Sequence, residues 1–211
     1  MEKIKVYVET TSKSNIPQSG SSGAAGWDLI AAKDCVILPG QTKLIGTGIK
    51  TAIPAGYEIQ IRARSGLSLR TSLRIPNSPG TVDSDYRDEI KVIAYNTFQI
   101  IDLPSLILIN PEIVEQLKGY RVIDGWTYFK NSQPNVDLAD MDSAKLKKQL
   151  KRISVYLDQA GDPFGTIKIK KGERFAQMVV AKYYLPQFEI VEDVTLIGTD
   201  RGGGFGSTGK T

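Results

Sequence analysis

This sequence predicts a mainly β fold with a partly helical segment set into it, and three observations carry that expectation. Twenty glycines and ten prolines in 211 residues punctuate a chain of short β-branched runs. Those runs alternate apolar and polar positions, or are wholly apolar, as strands do. From about residue 97 to residue 162 the apolar period lengthens towards that of a helix.

In chain order, residues 4–10 (IKVYVET) alternate as a half-buried strand, and residues 16–26 (IPQSGSSGAAG) are loop by composition. CVIL, TKLIGTGIKTAI and YEIQIRA follow as strand runs, separated by PGQ and PAG, which read as hairpin turns. The loop IPNSPGTVDSDYRDE leads into the strand IKVIAYN. PEIVEQLKG (111–119) has helical spacing, with Pro111 near its start and Gly119 as a stop. Leu146, Leu150, Ile153 and Leu157 predict one helix over 143–158, capped by Asp142 or Ser143. Strands return at 166–184 and 188–194. The expected organisation is a β-core of 1–96 and 163–200, an insertion of 97–162 and a glycine-rich arm of 201–211.

Composition narrows the chemistry. An apolar fraction of 41% suffices to bury a core. Basic residues exceed acidic ones only by 27 to 23, so no direct nucleic-acid binding is expected. The lysine-rich face at 145–152 reads as solvated, because the insertion's acidic residues offset its basic ones. The chain has no histidine, which removes the commonest general base and most zinc sites. Cys35 is the sole cysteine; it sits in an apolar run and points to a reducing compartment. No run is apolar enough to span a membrane and the N-terminus does not read as a signal peptide, so a cytoplasmic protein is expected.

Five clusters then carry chemistry. By composition alone the loop NSPGTVDSDYRDE reads as a solvated acidic turn; in a chain without histidine it also offers a carboxylate as water-activating base beside an aromatic platform. ARSGLS (63–68) places one guanidinium, one hydroxyl and bare backbone N–H groups where a phosphate could lie; its bland reading is a plain turn. AAGWDL (24–29) holds Asp28, which needs other oxygens to bind a metal. GERFAQM (172–178) sets Gln177 among strand residues, where structural hydrogen bonding is the default. The last stretch, RGGGFGSTGKT, contains a phosphate-loop pattern from Gly204 to Thr211, but that motif needs a following helix and none is expected.

Taken in order, AAGWDL, ARSGLS, PGTVDSDYRDEI, GERFAQM and RGGGFGSTG resemble the five motifs of the homotrimeric dUTPase family. The resemblance implies a β-clip or jelly-roll core, a homotrimer whose sites combine subunits, and hydrolysis of dUTP to dUMP and pyrophosphate with Mg²⁺. Asp83 would be the catalytic base, and Tyr86 would pack where a ribose 2′-OH needs room. Asn77, Gly80 and Val82 would read uracil. Arg64, Ser65, Gly66 and Gln177 would hold phosphates or water, and Asp28 would hold Mg²⁺ through water. Arg201 would clamp the γ-phosphate, Phe205 would stack on uracil, and Gly206, Ser207 and Thr208 would complete the arm.

The sequence departs from the family pattern at Trp27, usually tyrosine, and at Asp88, usually glycine. The arm is also one residue shorter between Arg201 and Phe205. Insertions at the position of 97–162 occur in dUTPases of phages infecting Gram-positive bacteria, implying a possible second partner, a repressor of a mobile genetic island. The alternatives are a dCTP deaminase of the same fold, a nucleotide sensor without catalysis, and a phosphate-loop NTPase.

Overall fold

Frequent glycine and proline turns keep each strand short, so the apolar runs assemble as many small ladders instead of one broad sheet. The computed structural model describes residues 3–138 and 142–200. Its strands are β1 (Tyr7–Thr10), β2 (Gln18–Ser19), β3 (Trp27–Ile30), β4 (Cys35–Ile37), β5 (Thr42–Gly46), β6 (Ile49–Ala52) and β7 (Tyr57–Ala63). Helix α1 (Ser65–Arg70) precedes β8 (Leu73–Arg74), β9 (Gly80–Val82) and β10 (Lys91–Asn96). The next segment carries α2 (Leu103–Ile109), α3 (Ile113–Gln116), β11 (Arg121–Asp124), α4 (Gly125–Ser132), α5 (Ser143–Leu150) and β12 (Ser154–Leu157). The chain closes with β13 (Ile167–Ile169) and β14 (Arg174–Lys182).

One antiparallel sheet has the order β2-β3-β14-β7-β9, and a second runs β5-β10-β8. The core they share with the β1-β6 and β4-β13 ladders buries Leu29, Ile37, Ile49, Ile59, Ile90, Val92 and Phe175 almost completely. The PGQ and PAG turns do not close hairpins. β4 pairs with β13 and β5 with β10; β6 pairs with β1 and β7 with β14 and β9. Each turn therefore carries the chain from one ladder to another, the jelly-roll manner of connection.

TKLIGTGIKTAI is two strands, not one. Its break is at Thr47, whose buried hydroxyl donates to the Ile90 carbonyl at 2.7 Å, and at Gly48, with φ of +70°. A side chain at Gly48 would also collide with the Asn15 amide.

The helix predicted over 143–158 stops at Leu150, with Asp142 as its cap, accepting from the Lys145 N–H. Ser154–Leu157 pairs instead with Arg121–Asp124, which buries Val155 and Leu157 on one face. Its four residues alternate with period two, and a partner strand outweighs continuation of the helix. Val155, Leu157 and Leu103 are buried but do not belong to the main core cluster. This segment is fastened to the body by the Phe98–Phe164 and Tyr120–Phe164 ring contacts and by buried Asn96, whose Oδ1 accepts the Phe98 N–H at 3.1 Å while its amide donates to Ile37 and Gly165.

Residues 188–194 form no strand. Phe188 is 89% and Ile190 99% exposed, although their alternation suits a strand. A strand is made by its partner as much as by its own pattern, and no described edge takes this segment. No helix among the described residues is long and apolar enough to cross a membrane.

Candidate active site

Three of the motif clusters converge on one end of the five-stranded sheet. In register, Gln177 of β14 sits opposite Asp28 of β3 on one side and Arg62 of β7 on the other, which brings the start of α1 beside Asp28. Arg64 Nε donates to Asp28 Oδ1 at 2.7 Å, and Arg64 Nη1 donates to the Arg174 carbonyl at 3.0 Å. ARSGLS is not a plain turn: Ser65 and Gly66 open helix α1, where the first N–H groups have no intrahelical acceptor. Gln177 is half-buried, and its Nε2 donates to the Ala63 carbonyl at 2.8 Å. Its Oε1 lies against Gly26, where a Cβ would approach it to 2.3 Å.

Arg174 was missed by the sequence reading. Its Nη1 lies 3.2 Å from Asp28 Oδ2, so two guanidinium groups share one carboxylate. The register of β14 on β3 shifts between Arg174 and Ala176, and nothing in GERFAQM foretells that shift. Asp28 is correspondingly less available as a metal ligand than its motif suggests. Among the described residues no three Asp, Glu or Cys side chains gather to hold a metal ion.

The PGTVDSDYRDEI cluster lies elsewhere. Gly80 pairs with Ile61 and Val82 with Ile59, so β9 runs away from Arg64. Gly80 is buried, and the Asn77 amide packs where its side chain would be. Asp83 follows Val82 as an exposed residue whose carbonyl accepts from the Tyr86 N–H. The Tyr86 hydroxyl donates to the Glu89 carbonyl at 3.1 Å, holding the ring over its own loop. From the level of Ile59 to Arg64 is five residues of strand, roughly 16 Å, and Asp83 lies beyond Ile59. One chain thus brings Asp28, Arg64, Ser65, Gly66 and Gln177 together but leaves Asp83 and Tyr86 apart from them.

Asp88 does not face the molecule uncompensated. Glu9 hydrogen-bonds Lys50 and pushes the ammonium pKa up, and Asp88 adds to that shift. A recess of about 760 Å³ beside them is lined by Glu9, Asn15, Gly48, Lys50 and Glu89 and takes in none of the predicted substrate residues. Arg201, Phe205, Gly206, Ser207 and Thr208 lie outside the described residues.

Comparison with known proteins places this arrangement. Residues 12–105 match the family model described as dUTPase. The deoxyuridine 5'-triphosphate nucleotidohydrolase of Nautilia profundicola is 35% identical over 196 residues, 92% of this chain and 91% of that protein. The enzyme of that name from Chlamydia pneumoniae is 52% identical over 95 residues, a match spanning 44% of this chain and 66% of the relative. Among solved structures, the Staphylococcus bacteriophage 80alpha dUTPase with dUPNHPP has a TM-score of 0.65 at 20% identity, covering 98% of this chain and 99% of that one. The phage phi11 dUTPase from S. aureus has a TM-score of 0.59 at 22% identity, covering 90% and 97%, and is described as showing a species-specific insert. Motif order, sheet topology and near full-length identity agree: the chain belongs to the dUTPase family of nucleotide hydrolases.

Proposed function

We propose that this protein hydrolyses dUTP to dUMP and pyrophosphate in sites assembled from several copies of the chain, as a homotrimer. The observation that carries this reading is the division of the motif residues. A base and a phosphate clamp that serve the same phosphorus must come within about two hydrogen bonds of each other, roughly 6 Å. Asp83 and Arg64 sit on levels of β7 separated by more than twice that. A neighbouring copy supplying Asp83 and Tyr86 to the Arg64 cluster closes the gap.

In such a site Asp83 orients water for in-line attack on the α-phosphorus. Tyr86 excludes the ribose hydroxyl, a steric rejection that a pocket can make selective. Gly80, bare of a side chain, lets the strand backbone and Asn77 meet the uracil edge, with Val82 beside them. Arg64, Ser65 and Gly66 hold the phosphates, and Gln177 Oε1 contacts phosphate or water while its Nε2 anchors Ala63. Positioning and charge supply most of the acceleration. Asp28, a single carboxylate shared by two arginines, does not build a metal cage; it would hold a hydrated Mg²⁺ through water. Bound there, Mg²⁺ would neutralise phosphate charge. The arm from Arg201, with Phe205, Gly206, Ser207 and Thr208, closes over a neighbour's nucleotide.

The test is pyrophosphate release from dUTP, dCTP, UTP and ATP with Mg²⁺, for the wild type and Asp83→Asn. Turnover of dUTP alone, lost in the variant, is expected; comparable use of ATP, or full activity of Asp83→Asn, refutes the reading.

A second role rests on the insertion. The 80alpha dUTPase that shares its fold with this chain is described as controlling transfer of virulence genes by a proto-oncogenic G protein-like mechanism. We propose 97–162 as part of the surface for a repressor of a mobile genetic island, with Leu108 and Ile109 of α2, 85% and 83% exposed, as its most exposed large apolar groups among the described residues. Undiminished repressor binding by a protein lacking 97–162 that still hydrolyses dUTP would end that proposal.

A further inference from the structure

Glu89 closes the loop that carries Asp83 and Tyr86. Glu89 Oε1 accepts the Gly48 N–H at 2.8 Å, spanning from the motif loop to the turn between β5 and β6. The same turn holds the neighbouring residue twice: Thr47 N–H and Oγ1 both donate to the Ile90 carbonyl. Glu89 lies against Gly46 so closely that a Cβ there would come within 2.6 Å of Oε1. Its own carbonyl, meanwhile, accepts the Tyr86 hydroxyl at 3.1 Å. One residue therefore joins the tyrosine ring to a buried turn of the core.

We propose that Glu89 is a positioning residue: its carboxylate latches the loop to the Gly46–Gly48 turn and thereby fixes Tyr86 as the wall that selects deoxyribose. The proposal rests on the hydrolytic reading given above. Three features support a latch over ordinary surface packing. The acceptor is charged and half-buried, which strengthens its bond to a backbone N–H. The donor, Gly48, is held at a positive φ that most residues avoid. Gly46 leaves space that the carboxylate occupies. Glu89 does not reach the reacting atoms, so its loss should loosen selection of the sugar as well as slow the reaction.

The discriminating readout is the ratio of kcat/KM for dUTP to that for UTP. Glu89→Ala should lower the ratio about tenfold, the factor equivalent to one charged hydrogen bond. Glu89→Gln keeps an Oε1 acceptor and should stay near wild type. Gly46→Ala, whose added methyl would displace the carboxylate while Glu89 itself is kept, should reproduce the Glu89→Ala ratio, and it serves if Glu89→Ala does not fold. An unchanged ratio in a folded Glu89→Ala or Gly46→Ala protein overturns the proposal, as does Glu89→Gln failing as badly as Glu89→Ala. Amide hydrogen exchange reads the latch without nucleotide: faster exchange at Gly48 and Tyr86 in Glu89→Ala is expected, and unchanged exchange refutes it. Absence of dUTP turnover by the wild type would instead defeat the hydrolytic reading, leaving the exchange result to judge the latch.

Discussion

If Asp83 and Arg64 reach the substrate from different copies of the chain, two inactive variants should repair one another. Asp83→Asn removes the base, and Arg64→Ala removes the guanidinium that holds Asp28 at 2.7 Å. The two residues stand on levels of β7 roughly 16 Å or more apart within one chain, too far to serve one phosphorus. In a closed ring each site takes one residue from each of two neighbours. When the variants are co-assembled in equal amounts, about a quarter of sites receive an intact Asp83 and an intact Arg64, since each donor is intact in about half the subunits. The assay is pyrophosphate release from dUTP after the separated variants are unfolded and refolded together, with each refolded alone as the baseline. Recovery near one quarter of wild-type turnover is expected. Activity no higher than that of the separate variants, in a mixture shown to exchange subunits, refutes the shared site.

Other perturbations follow from particular contacts. Arg174→Ala leaves Asp28 with Arg64 alone, so KM for dUTP should rise severalfold with less effect on kcat; steady-state kinetics would show this, and a change in kcat only would contradict it. Asn96→Ala strands two carbonyl acceptors in a buried site and should cost about 2–4 kcal/mol, measured by denaturant unfolding. The insertion is tied to β13 by Lys168, which bridges Asp158 and Asp162 at 2.7 Å each. The Lys168 ammonium hydrogen-bonded to Asp158 holds that carboxyl below the usual aspartate range. A depressed carboxyl stabilises the fold above the ordinary aspartate pKa and loses that contribution as pH falls through its lowered value. Attachment should therefore be constant near neutrality and weaken only in acid below about pH 4, a change that Trp126 fluorescence can follow and that Asp158→Asn should abolish.

Much of the site was legible in the sequence because its chemistry is local. Arg-Ser-Gly, Asp-Ser-Asp-Tyr-Arg and Gln177 each sit in short stretches, and the absence of histidine left a carboxylate as the natural candidate for a base. The main-β class was legible for the same reason, since period-two patterning and turn residues act over a few neighbours. The misreadings are of another kind. PGQ and PAG are true turns, yet the ladders they join are chosen by pairing with β10, β13 and β14, far along the chain. Leu157 fits a helical face as well as a strand, and only Arg121–Asp124 decides between them.

Residues 188–194 carry the pattern of a strand but meet no described partner. Arg174 reaches Asp28 beside a register shift that no residue type announces. Glu89 looked like one more acid in an acidic loop until Gly48 stood opposite it. The sequence by itself determined which groups the protein possesses and the small turns and periods that shape each piece. Only the tertiary structure decided which pieces meet, because strand pairing is a long-range choice that the whole core makes at once. The separation of Asp83 from Arg64 is that kind of fact: it follows from the register of β9 on β7 and is written in neither segment alone.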